Sequence, residues 1–105
     1  MDGPNTLICY CYRDSGNTKF WGDIIVSGQV SRKQLEQFLF DGEWFVPEQV
    51  GLNHLLTEPW SKLDHILHEL HEFEDTERTD FFCSGDELIE RFDSAQKKGW
   101  FNGYI

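Results

Sequence analysis

The chain has 105 residues and a formal net charge of −10, and aromatic side chains make up 15% of it. That length fits one folded domain and leaves no room for a second core, while four Trp and nine Phe supply the large apolar surface that disordered chains lack. The acidic balance speaks against nucleic acid and anionic membrane as partners and for cationic ones, and no segment approaches the roughly 20 apolar residues of a bilayer span.

The opening Met1-Asp2-Gly3-Pro4 has no basic region followed by an apolar run, so no signal peptide is expected. Residues 6–13 predict a strand with Leu7, Cys9 and Cys11 on one face and Ile8, Tyr10 and Tyr12 on the other. Both faces are apolar or aromatic, which places the strand centrally. The cluster Asp14-Ser15-Gly16-Asn17 is a turn, and residues 20–27, carrying Trp21, Ile24, Ile25 and Val26, form the second arm of an antiparallel hairpin. Ser31 and Gln34 have capping-box spacing, and Leu35, Phe38 and Leu39 follow as a helical stripe that Asp41-Gly42 should stop. Residues 43–46 suggest a short strand ended by Pro47.

Residues 48–67 predict a packed loop with a short turn of helix, in which Val50, Leu52, Leu55 and Leu56 seek burial. A strand is preferred for residues 69–77, with a helix over 61–73 as the competitor, because Leu63, Ile66, Leu67 and Leu70 are also helix-spaced. The last helix is the plainest. Ser84 and Glu87 form a second capping box, Leu88, Ile89, Phe92 and Ala95 share a face, and Gly99 provides the stop. Asp86 and Glu87 at its start and Lys97 and Lys98 at its end match the helix dipole. Trp100, Phe101 and Tyr104 make an aromatic tail that should pack on the domain or on a partner. The expected architecture is α+β, in the order β-β-α-β-β-α: an antiparallel sheet of about four strands with two amphipathic helices on one face.

Three cysteines cannot form a closed disulfide set within one chain, and with no signal peptide they point to the reducing cytoplasm. Cys9 and Cys11 with Cys83 could hold zinc, yet structural zinc sites present Cys-x-x-Cys on a turn, so core packing is the preferred reading. His65, His68 and His71, with Asp64 or Glu72 beside them, are an alternative metal set for a metal-binding protein or metal-dependent enzyme. Their spacing does not match His-Glu-x-x-His. No Gly-x-Ser-x-Gly elbow, catalytic-cysteine signature or phosphate loop is present, so neither enzymatic activity nor a cofactor is expected.

The charge is concentrated. Residues 58–93 carry twelve acidic side chains against Lys62, Arg78 and Arg91, a local balance of −9. The acidic residues interleave with Trp60, Phe73, Phe81 and Phe82, and aromatic anchors ringed by charge are the usual composition of an interface hot spot. An acidic surface also speeds encounter with a basic protein. Trp60, Asp64, Glu69, Glu72, Glu74, Asp75 and Glu77 are therefore the candidate partner-binding residues.

The phrase Asp41-Gly42-Glu43-Trp44-Phe45, with Glu48, Gly51-Leu52 and then His71-Glu72-Phe73-Glu74 before Thr76, resembles a functionally uncharacterised group of small acidic bacterial proteins. Members open on a tyrosine-rich strand and hairpin, then a helix, an Asp-Gly-Glu-Phe-Phe-like phrase and a His-Glu-Phe phrase. The resemblance covers about the first four-fifths of the chain. It implies a compact bacterial or phage-type domain and carries over no catalytic residue. The leading expectation is a stoichiometric inhibitor of the immunity or antitoxin kind, acting on a basic partner such as a toxin nuclease. A homo-oligomeric accessory domain that docks through the tail from Trp100 is a further alternative.

Overall fold

The structure is a computed structural model and describes residues 4–14, 16–55 and 67–100. Among the described residues five strands and two α-helices follow in the order β1 (Asn5–Arg13), β2 (Lys19–Ser27), α1 (Arg32–Glu36), β3 (Trp44–Phe45), β4 (His68–Thr76), β5 (Cys83–Ser84) and α2 (Gly85–Lys98), and the short helical turn expected after β3 is a 3-10 helix over Pro47–Val50 with Pro47 and Val50 buried. The α+β class is as expected. The sheet is not purely antiparallel: its order is β3-β4-β1-β2-β5, and β5 runs parallel to β2. The extra strand escapes sequence reading because two residues are too short to show alternation.

β1 is central, between β2 and β4. Its even-numbered residues Ile8, Tyr10 and Tyr12 are buried: Ile8 and Tyr10 join Leu35, Leu88 and Phe92 in one core, and Tyr12 packs on the same side of the sheet against Phe20, His54 and His68. The β1–β2 turn is closed by Asp14, whose side chain accepts from the Thr18 amide at 2.9 Å. At the other end, buried Thr6 donates to the Gly28 carbonyl at 2.8 Å and accepts from the Val30 amide at 3.0 Å, tying the start of β1 to the approach to α1.

The first helix is shorter than its apolar stripe suggests. Gln34 Oε1 accepts from the Ser31 amide at 2.9 Å, as a capping box requires. After Glu36, however, the chain continues in turns. Phe38 O is diverted to Trp100 Nε1 at 2.7 Å, and Phe40 pairs with Trp44 through backbone bonds of 2.7 and 3.0 Å. The intended helix stop is instead a hairpin turn, with Asp41 and Gly42 both at positive φ. Leu35 and Leu39 are nonetheless buried.

For β4 the strand reading holds and the helix reading fails over the described residues. Alternation of large and charged side chains from His68 to Thr76 outweighs the helical spacing once β1 pairs along its length. α2 has the expected span and buried stripe of Leu88, Phe92 and Ala95, but its capping box is half formed: Ser84 Oγ accepts from the Glu87 amide at 3.0 Å, while the Glu87 carboxylate pairs with Arg91 one turn on. Trp100 is buried in its own chain, with its ring 6.0 Å from Phe92. Trp100 is thus part of this core, while the rest of the expected tail, with Phe101 and Tyr104, lies outside the described residues. Among the described residues no helix is long and apolar enough to cross a membrane.

Candidate functional site: the open face of the sheet

The described helices pack on one side of the sheet, so the other side is built from strand residues of opposite parity. β1 contributes Cys9, Cys11 and Arg13. The register places Asp23 opposite Cys9 and Trp21 opposite Cys11 on β2, with Glu69 opposite Cys11 and Glu74 opposite Leu7 on β4. A bulge in β4 shapes this face. Between the Ile8–Phe73 and Tyr10–Leu70 pairs, β4 holds one residue more than β1. His71 and Glu72 therefore oppose Cys9 together, and both belong to the outer face.

Trp21 stands at the β2 edge of this surface, beyond the reach of β5, and is 56% exposed. Strands two apart are separated by about 10 Å, yet the Trp21 and His71 rings meet edge to face at 4.8 Å. The two side chains reach toward each other above β1, in register with Cys11, which is fully buried. His71 Nε2 lies 3.2 Å from Glu69 Oε1, and Arg13 Nη2 donates to the same oxygen at 3.4 Å. Beside this group a cleft of about 540 Å³ runs between β4, the β3 turn and α1, lined by Arg13, Arg32, Glu43, Trp44, Glu69 and Glu72.

The electrostatics of the face register on its thiols. Burial pushes the Cys9 thiol up, and Asp23, Glu72 and Glu74 add to the rise. Cys11 is raised by burial and by Glu69, against the opposing pull of Arg13 and Lys19. Cys83 is raised by burial, with Arg91 opposing and Glu87 reinforcing. Raised thiols are poor nucleophiles and poor metal ligands at neutral pH.

Of the expected partner-binding residues, Glu69, Glu72 and Glu74 come together on the outer face. Asp75 falls on the opposite parity and accepts from Gln29 Nε2 at 3.3 Å. Glu77 is exposed just beyond the strand. Trp60 and Asp64 lie outside the described residues. Of the alternative metal set, His68 and His71 are not brought together: His68 is fully buried on the helix side and His71 is on the outer face, while His65 lies outside the described residues. His68 is instead a core group. Its Nε2 accepts from the Leu55 amide at 3.2 Å, and the rings of His54 and Tyr12 lie 4.5 and 5.1 Å away. Cys9 and Cys11 share a face as expected. Cys83 pairs with Val26 on the helix side and packs against the core.

Sequence reading overlooked Trp21, Asp23 and Arg13. The usable signal was Asp23, a charge in the middle of an otherwise apolar strand, which marks its own parity, shared with Trp21, as solvent-facing. Searches against protein-family models, curated proteins and solved structures find no match to this chain.

Proposed function

We propose that this chain is a stoichiometric protein-binding inhibitor of the immunity or antitoxin kind. On this reading the open face of its sheet docks on a basic partner, such as a toxin nuclease, and covers the partner's active cleft. The observation that carries the reading is Trp21: a large aromatic, more than half exposed, at the β2 edge of a sheet face that also bears Asp23, Glu69, Glu72 and Glu74, with its ring leaning inward onto His71. Tryptophan is over-represented among interface residues that dominate affinity, and the charges around it steer an oppositely charged protein to it. The same carboxylates repel nucleic acid and anionic lipid. The raised thiols favour action by occupancy over covalent chemistry.

The test is affinity capture from lysate of the native host, with wild-type chain and a Glu72→Lys/Glu74→Lys variant as parallel baits. The expected result is a basic protein held in stoichiometric amount by the wild type, eluted by salt and lost on charge reversal. Capture of no basic chain, or equal capture by both baits, would contradict the reading.

A further inference from the structure

The outer edge of β4 is paired over only part of its length. β3 covers His68 and Glu69 alone. Next along the edge, Arg32 Nη1 donates to the carbonyls of Leu70 and His71 at 3.0 and 2.8 Å, so these carbonyls point away from β1. Residues of an antiparallel strand turn their backbone groups alternately to one neighbour and the other. Alternation along β4 is interrupted by the bulge, but β1 is regular: Phe73 and Asp75 lie opposite Ile8 and Thr6, which share parity with Tyr10 opposite Leu70, so the N–H and C=O of Phe73 and Asp75 point outward as well. Among the described residues none of these groups has a backbone or side-chain partner. The side chains along this stretch, Glu72, Glu74 and Asp75, are acidic and exposed.

We infer that the free edge of β4, from Glu72 to Thr76, receives an extended segment of the basic partner as an added strand. The segment would carry Lys or Arg at alternate positions opposite Glu72 and Glu74. Main-chain bonds to Phe73 and Asp75 supply register, and the cross-strand ion pairs supply selectivity. The occupant is not a second copy of this chain. Pairing β4 with itself in either direction sets carboxylates against carboxylates, which is destabilising. Arg32 limits the docking site at one end, because its guanidinium already satisfies the carbonyls there. The inference rests on the basic-partner reading and adds how that partner is held.

The experiment uses the whole chain and two probes: a short peptide alternating lysine and valine, and a peptoid with the same side-chain order, which keeps the charges but has no backbone N–H. Amide exchange and affinity are followed by NMR. The peptide should bind roughly tenfold or more tighter than the peptoid, and exchange of the Phe73 and Asp75 amides should slow. Equal affinity for the two probes, without slowed exchange, would overturn strand addition while leaving a basic partner for the outer face in place; the edge charges would then serve only to prevent self-pairing. Binding of neither probe would overturn both.

Discussion

The outer side of the sheet is an unfavourable place to form a thiolate. At Cys9 burial acts together with Asp23, Glu72 and Glu74, and at Cys11 with Glu69, to keep the proton on sulfur. Cys83, on the other side, is held up mainly by burial. This has a consequence for alkaline stability. Unfolded thiols ionise near pH 8.5 to 9, at about their ordinary value, while the folded ones still hold their protons. In that window the unfolded chain binds fewer protons than the native one, so stability falls as pH rises. The stabilisation is complete below the ordinary thiol value and is lost as pH rises through the raised native values. Alkylation by iodoacetamide across pH 7 to 10 checks the shift. Native Cys9 should react with a midpoint above the ordinary thiol value, and the same residue in urea at that value. A native midpoint at or below the ordinary value would contradict the electrostatic description of this face.

At the scale of elements, the close seat of α2 against the β2–α1 connection depends on Gly85. A Cβ there would lie 2.5 Å from Val30 Cγ2 and 3.0 Å from the Ser27 carbonyl oxygen, and a backbone oxygen held beside a strand end cannot readily give way. Gly85→Ala is expected to destabilise by about 1 kcal/mol net, the overpacking cost less the gain in helix propensity. That corresponds to a fall in Tm of about 4–8 °C for a domain of this size. Gly16→Ala, where the nearest atom is the Asp14 side chain at 3.4 Å, is the control and should leave Tm unchanged. An unchanged or higher Tm for Gly85→Ala would contradict the packing described. The elements differ in how much of them the sequence reveals. α2 shows fully, because caps, stripe and charges all agree from Ser84 to Gly99. β1 and β2 show through alternation. α1 is overstated because Leu39 is buried from a turn as well as it would be from a helix, and the diversion of Phe38 O to Trp100 is a contact across 62 positions that no local pattern encodes. The bulge at His71 and Glu72 is hidden for a similar reason: it exists only relative to β1. The acidic part of the candidate site was legible as charge on β4. Its aromatic anchor was not, since a tryptophan in a strand reads as core until the sheet is known to carry helices on one side.

At the scale of the whole molecule, one side of the sheet meets the core of Leu35, Leu88 and Phe92, and the other presents carboxylates around an exposed tryptophan. This asymmetry puts a charged, aromatic surface on rigid strands, which spares a binding reaction the cost of ordering loops. It also makes the location of binding separable from general hydrophobicity, because Phe81 is another exposed aromatic, 43% accessible, just before β5, which pairs with Val26 and Ser27 at the opposite end of β2 from Trp21. The decisive measurement is the affinity of the captured basic partner for wild type, Trp21→Ala and Phe81→Ala, with Tm followed in parallel to show that each variant is folded. Trp21→Ala is expected to weaken binding by about 2 kcal/mol or more, roughly thirtyfold, with Tm unchanged, and Phe81→Ala to leave affinity within about twofold of wild type. Full affinity in folded Trp21→Ala, or a larger loss in Phe81→Ala, would show that the open face of the sheet is not where the partner binds.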